Sequence, residues 1–276
     1  MRLDRPVGIW LYLLPALWSM FIVTPQRPVG ELLVPFTLSA VLIRGAGCAA
    51  NDLADRKLDA EVARTRHRPL AAGDLTVREA MVFGLLQMAA ALVVLGSVSP
   101  AAAAVMFVSV PLIVAYPYMK RVTYWPQAWL GMTFNTFGLA ACVAATGRVT
   151  VSAMLLYAAG LLWTVGYDTV YAHQDKVDDV AVGIKSTALL LRDYSRFFVA
   201  SCYTGTVLLI LAAGRVERFP WPFWVAMVPA VAQLVWQLGK WNMQDPDDCR
   251  EKFVSNQIFG LLVLIAILIG RHIAVA

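Results

Sequence analysis

The sequence predicts an all-α integral membrane protein, nine transmembrane helices in one bundle formed by residues 1–276 as a single domain. Three observations predict it. The chain is 59% apolar and only 15% charged, and its 18 glycines raise the apolar share to about 65%, against ~45–50% in soluble domains. Long stretches carry no charge at all. The charges that do occur crowd toward one end of the spans. A mean hydropathy of +0.65 is more than a soluble core of this size accommodates. This excludes a soluble globular enzyme, a disordered chain and a nucleic-acid binder, despite an isoelectric point near 9.1.

Residues 6–26, 80–119, 122–147, 149–167, 197–214, 219–239 and 253–270 contain no Asp, Glu, Lys or Arg. About 20 apolar residues in a helix cross the hydrocarbon core, and a helix satisfies its own backbone there. The first span is 6–26, and the second is 32–50, apolar except for Arg44. The 80–119 stretch has Pro100 near its middle and reads as two spans with a tight turn. Five more follow Lys120. Pro15, Pro35, Pro111 and Pro229 fall within spans and predict kinks. The first span starts within ten residues of Met1 with no small-residue cleavage pattern, so no cleavable leader is expected. Cys48, Cys142, Cys202 and Cys249 form no Cys-x-x-Cys pair and read as apolar packing.

Nine spans put the termini on opposite sides. The C-terminal side holds Arg27, Arg148, Arg215, Arg218 and Arg271, which leaves 18 of the 23 basic residues on the N-terminal side. By the positive-inside rule the N-terminus is cytoplasmic and the C-terminus outside, in what reads as a prokaryotic cytoplasmic membrane. Of the 18 acidic residues, only Glu31 and Glu217 lie on the outer side. Attraction to anionic lipid explains surplus cations on one face, but not surplus carboxylates.

Those carboxylates are patterned. After the second span, Arg44, Asn51, Asp55 and Asp59 stay on one face of a continuing helix at about 100° per residue. After the sixth, Asp168, Asp175 and Asp179 return to within about 20° of one direction. Either stripe alone reads as surface charge that is solvated or paired with nearby Arg and Lys. Two matched stripes at one membrane face repel unless something cationic lies between them. Mg²⁺ takes oxygen ligands, typically one or two carboxylates completed by substrate phosphates and water. Opposed carboxylate rows bridged by Mg²⁺ would hold a diphosphate. Loops on the same side offer it cations: Arg64, Arg66 and Arg68, then Lys120 and Arg121, then Lys185. Arg56, Lys57, Arg78, Arg192 and Arg196 read as ordinary positive-inside charges, and His67 and His173 as polar loop residues. Arg44 is an ionisable group within a span, which points to function. Its partner is Asn51 or Asp55, or else the carboxylate of a substrate.

The sequence resembles the UbiA superfamily of intramembrane prenyltransferases along nearly its whole length. The resemblance rests on Asn51-Asp52-x-x-Asp55-x-x-x-Asp59, Arg64-Thr65-x-x-Arg68-Pro69-Leu70 and Asp175-x-x-x-Asp179. Tyr116-Pro117-Tyr118-Met119-Lys120-Arg121, Tyr167-Asp168-Thr169-x-Tyr171-Ala172 and Gly183-Ile184-Lys185-Ser186-Thr187-Ala188 are similar to the 4-hydroxybenzoate polyprenyltransferase branch.

The resemblance implies a central cavity opening to the cytoplasmic side and Mg²⁺-dependent transfer of a polyprenyl group to the carbon ortho to the acceptor hydroxyl, in quinone-type lipid biosynthesis. It implies Asn51, Asp52, Asp55, Asp59, Asp175 and Asp179 as metal ligands, and Arg64, Arg68, Lys120, Arg121 and Lys185 on the diphosphate. Arg44, Asn51 and Tyr116 fall to the aromatic acid, Asp55, Asp175 and Asp168 to catalysis, with Asp168 as a candidate for the proton. The implied partners are a polyprenyl diphosphate, a small aromatic acid and the lipid bilayer, with the chain acting as a monomer. Relatives use other acceptors: homogentisate, naphthoates, haem, chlorophyllide or glyceryl lipids. A secondary transporter, or a lipid diphosphatase or lyase using water, are the other readings of polar residues in spans.

Overall fold

A computed structural model describes residues 6–23, 28–61 and 65–275, apart from the side chains of Asp178, Ala274 and Val275. Apolar runs bounded by proline, glycine and capping side chains become helices, and no strand occurs among the described residues. In order they are α1 (Val7–Ile22), α2 (Val29–Glu61), α3 (Pro69–Ala72), α4 (Val77–Val98), α5 (Pro100–Val122) and α6 (Pro126–Thr146). There follow α7 (Val151–Ala181), α8 (Thr187–Leu191), α9 (Ser195–Val216), α10 (Trp221–Ala226), α11 (Val228–Lys240) and α12 (Pro246–Val275). A 3₁₀ turn at Arg192–Tyr194 joins α8 to α9.

Local chemistry explains the boundaries. Thr76 and Glu79 form a capping box that starts α4. Ser99 ends α4 and caps α5, whose first residue is Pro100, so the uncharged 40-residue stretch divides at its proline as expected. Pro15, Pro35 and Pro111 lie inside α1, α2 and α5. The span containing Pro229 is broken instead of bent: α10 ends at Ala226 and α11 resumes at Val228.

Among the described residues, eight helical stretches are long and apolar enough to cross a membrane: α2, α4, α5, α6, Val151–Val177, Thr187–Val216, Trp221–Lys240 and Pro246–Ile273. The chain is an integral membrane protein. The run at 6–26 gives α1, which is apolar but has only 16 residues. At 1.5 Å per residue it covers about 24 Å, short of a ~30 Å hydrocarbon core. It lies against protein on several sides, burying every residue from Leu11 to Met20 among α2, α6, α7 and α12. By contrast α4 buries only Ala80, Gln87, Ala91 and Leu95, and shows Leu85, Leu86 and Val93 outward, as a lipid-facing helix should.

Aromatic side chains fill the centre. Trp18 of α1 lies 5.0 Å from Trp163 of α7 between ring centroids. Each indole has a polar partner on α12: Trp18 Nε1 donates to the Gly260 carbonyl at 2.9 Å, and Trp163 Nε1 to Asn256 Oδ1 at 2.9 Å. At the opposite end from the acidic rows, Arg271 of α12 donates to the final carbonyls of α1, Phe21 at 3.4 Å and also Ile22, and pairs with Glu217 at 3.3 Å. A cation on exposed helix carbonyls complements the negative end of the helix dipole. The four cysteines are free and buried.

Where α6 crosses α7, Asn135 donates to Gly131 O at 2.8 Å and Thr164 Oγ1 at 3.1 Å, and its side chain occupies the space over Gly160. A Cβ on Gly160 would collide with Asn135 Oδ1 and Cγ. Gly160→Ala should therefore destabilise the protein by about 1–3 kcal/mol, read as a lower thermal midpoint in detergent. Asn135→Ala in the same background should recover part of the loss, because it removes the colliding atoms.

Candidate active site

Both acidic helices run past the end of the apolar zone without a break. α2 continues through Asn51, Asp52, Asp55 and Asp59 to Glu61, and α7 through Asp168, Asp175 and Asp179 to Ala181. All seven residues line one cavity of about 710 Å³, and Arg44, Arg68, Tyr116 and Lys120 line it too. The two rows face each other across a shared space on one side of the bundle.

The cavity is graded. Arg44 lies about 22 Å deeper along α2 than Asp59, and Asp168 about 16 Å deeper along α7 than Asp179, at 1.5 Å per residue. Around the deep end stand Leu11, Tyr12, Ile43, Ile113, Leu130 and Phe134, an apolar and aromatic wall.

At the shallow end the chain neutralises the α2 row with its own cations. Lys120 at the end of α5 is ion-paired with Asp55, which is 2% exposed. Arg121 reaches the other Asp55 oxygen at 3.4 Å and the Ala54 carbonyl at 2.5 Å. Arg68 bridges Asp59 at 2.6 Å and Asp52 at 3.2 Å. Thr65 holds the loop down by donating to the Asp59 carbonyl at 3.0 Å. These pairs are buried or half-buried, so removing one member would strand a charge.

Arg44 differs. Among the described residues no carboxylate lies within ion-pair distance of it, so neither Asp55 nor Asn51 is its partner. Its guanidinium stands 6.0 Å from the Phe134 ring centroid. It also packs on the backbone of Gly8 in α1, where a Cβ would come within 2.8 Å of Nη2. Arg44 and Asp175 are the charges that act on Asp168, and Asp168, Arg44 and Asp55 are those that act on Tyr116. Arg44, Tyr116 and Asp168 thus form one electrostatic neighbourhood.

One residue lining it escaped the sequence: Tyr12, whose buried hydroxyl has no hydrogen-bond partner among the described residues. Tyr167, which belongs to the motif around Asp168, lines the cavity as well. Tyr12 lies in an uncharged span and gave no signal.

Other expectations meet the structure unevenly. Lys185 is not brought into the cavity: its ammonium donates to the Val122 carbonyl at 3.2 Å and faces the Tyr124 ring at 5.6 Å. Its backbone N–H bonds the Lys120 carbonyl at 2.8 Å, so the loop docks on α5 while the side chain turns away. Arg121 does not line the cavity and reaches it only through Asp55. His67 does line it, whereas His173, expected in a loop, is buried within α7 against Trp241. Arg64 lies outside the described residues.

The donors fit a hard divalent cation. The α2 and α7 rows offer only carboxylate and amide oxygens, as Mg²⁺ prefers. No group of three or more His, Cys, Asp or Glu is gathered for a metal among the described residues.

The UbiA prenyltransferase family profile matches residues 12–265. A mitochondrial 4-hydroxybenzoate polyprenyltransferase of Aedes aegypti is 42% identical over 273 residues, covering 98% of this chain and 62% of that protein. The chain therefore spans just under two thirds of that relative's length. 4-Hydroxybenzoate geranyltransferase 2 of Lithospermum erythrorhizon is 41% identical, covering 98% of this chain and 89% of that one. Among solved structures, the apo form of a UbiA homologue from Aeropyrum pernix K1 superposes with a TM-score of 0.79 at 22% identity, over the full length of both chains. A UbiA homologue from Archaeoglobus fulgidus bound to GPP and Mg²⁺ gives 0.71 at 17% identity, covering 100% of this chain and 99% of that one. The facing acidic rows, the helical bundle that carries them and the near full-length matches agree: the chain belongs to the UbiA prenyltransferase family.

Proposed function

We propose that the cavity transfers a prenyl group from a prenyl diphosphate to 4-hydroxybenzoate, at the ring carbon ortho to the hydroxyl. The observation that carries this is the convergence of both acidic rows on one space that ends, at depth, in a guanidinium with no carboxylate within ion-pair distance among the described residues. The names of the 41–42% identical relatives supply the acceptor.

In the reaction the bond between the allylic carbon and the diphosphate oxygen breaks, and a carbon–carbon bond forms to the ring. The ring loses one proton, and diphosphate departs. Asn51, Asp52, Asp55 and Asp59 on α2, with Asp175 and Asp179 on α7, are the oxygen donors that would hold magnesium. When bound, that ion offsets the negative charge growing on the departing diphosphate.

Arg68, Lys120 and Arg121 are the cations for the phosphate oxygens, and Arg64, outside the described residues, is proposed with them from the sequence. Without ligand, Arg68 and Lys120 neutralise the α2 row; a diphosphate gives them an alternative anionic partner and frees carboxylate oxygens. Arg44 takes the acceptor's carboxylate as a charge-assisted pair. Tyr116, Tyr12 and Tyr167 offer hydroxyls beside it, and Asn51 lies between the two substrates. Asp168 stands next to this pocket and is the group placed to receive the phenol or ring proton. The apolar wall from Ile43 to Phe134 keeps water from the cationic prenyl carbon, which water would convert to an alcohol.

Every group named comes from one chain, so a single copy acting as one unit suffices. The excess of basic residues beside the acidic rows supports a mouth on the cytoplasmic side, with the C-terminus opposite.

Asp55→Asn and Asp175→Asn should each lower prenyl transfer by about 100-fold or more, while size-exclusion profiles in detergent stay unchanged. Turnover of labelled prenyl diphosphate near the parent level would exclude these carboxylates. Chelation with EDTA should abolish activity and added Mg²⁺ restore it; activity that persists under chelation contradicts the assignment. Arg44→Ala, and Gly8→Ala through displacement of the guanidinium, should raise KM for 4-hydroxybenzoate by about 10-fold or more. KM for the prenyl diphosphate should move less than about twofold, and an unchanged KM for the acid would remove Arg44 from the acceptor site.

A further inference from the structure

On the far side of the link from α7 to α8 lies a second cavity of about 470 Å³, sharing only Ile184 with the first. Its character is the reverse. Lys176, Lys185 and Arg192 line it, against a single carboxylate among the described residues, Asp193, which is exposed. In the first cavity the side chains of Lys120 and Arg68 are set on carboxylates. Here, among the described residues, no cation is. Lys176 donates to the Met243 carbonyl at 2.8 Å and Gln244 Oε1 at 2.5 Å, and Lys185 to the Val122 carbonyl at 3.2 Å. Neutral carbonyls orient these ammonium groups without cancelling their charge.

The second observation is His173. It lines this cavity, is only 4% exposed, and among the described residues neither ring nitrogen has a partner in good hydrogen-bond geometry; the nearby Met243 carbonyl, which also accepts from Lys176, is the one backbone group that acts on it. Its ring is fixed edge-on to Trp241, with centroids 5.2 Å apart. A buried polar group with no partner bears an unmet desolvation cost, and a ligand that accepts its N–H removes that cost. Three cations against one exposed carboxylate, around one such donor, describe a ligand that is anionic and rich in acceptor oxygens. Phosphate groups fit, since they carry several acceptors and more than one charge.

We propose that this second cavity binds a phosphate-type anion, held by the His173 N–H, Lys176, Lys185 and Arg192. The anion has two sources. One is soluble diphosphate, which the transfer described above releases next door; the other is the phosphate headgroup of a lipid at the membrane surface. The site is inferred from its own residues and uses none of the groups given a part in the transfer, so loss of one reading leaves the other standing.

The test is calorimetric titration of the full chain in detergent with inorganic diphosphate, in EDTA so that the acidic cavity lacks its metal. Saturable binding is expected. Lys185→Ala and the exposed Arg192→Ala should each weaken it about tenfold, and His173→Phe, which keeps the ring against Trp241, should weaken it comparably. Asp55→Asn in the first cavity should leave the affinity within about twofold. Repeating the titration in nanodiscs of phosphatidylcholine or phosphatidylglycerol separates the sources. Competition by the anionic lipid alone assigns the cavity to a headgroup, and equal binding in both assigns it to the soluble anion; either supports the site. No saturable binding of diphosphate together with no effect of anionic lipid would overturn it. So would binding that survives Lys185→Ala and Arg192→Ala unchanged, or that depends on Asp55.

Discussion

The structure depends on keeping like charges together at the edge of a low-dielectric medium. Asp55 and Asp59 are 2% and 7% exposed, and a second acidic row lines the same cavity. Carboxylates so placed repel one another more strongly than in water, and the bundle tolerates them through internal cations. Lys120 and Arg121 come from α5 and Arg68 from the loop beyond α2, so the charge pattern ties together elements distant in sequence. The same repulsion makes the site receptive. A ligand carrying both a divalent cation and phosphate oxygens would satisfy each half of these pairs. On the proposed function the resting salt bridges would be interchangeable contacts, in contrast to the apolar packing around Trp18 and Trp163.

The sequence made the acidic rows legible because helical geometry alone fixes which residues share a face. Asp55 with Asp59, and Asp175 with Asp179, are four apart, and both helices continue unbroken through them. Arg44 was legible for a different reason: a charge within an apolar run is rare enough to stand out. What it touches was not legible. Gly8 and Phe134 lie on other helices, and nothing in their own neighbourhoods marks them. Tyr12 was hidden because a tyrosine in a span has the same appearance whether it packs, anchors or points into a cavity. Lys185 misled by proximity in the chain. Its neighbours belong to the family motif, yet α7 ends at Ala181 and Gly183 turns the backbone at φ +71°, after which the side chain lies on the other side of the link. The α1 span was read from its lack of charge, which says nothing about its helical length.

Membrane bundles gain little from the hydrophobic effect between helices and rely on close packing and interhelical hydrogen bonds. Asn135 over Gly160, and Trp163 on Asn256, are such contacts here. Each joins helices that are far apart in the chain or cross at close range, so the bundle is fixed at these points by fit and hydrogen bonding and elsewhere by apolar filling.

The buried helix at the start of the chain has a consequence for biogenesis. Trp18 bonds a carbonyl 242 positions later, and Arg271 closes the end of the same helix. A ribosome makes these partners long after the helix itself. Until α12 is synthesised, a 16-residue helix that is short for the bilayer lacks one of the surfaces that cover it. Its final seat can be taken only once α12 is in the membrane, so the seam between α1 and α12 closes later than the helix is made.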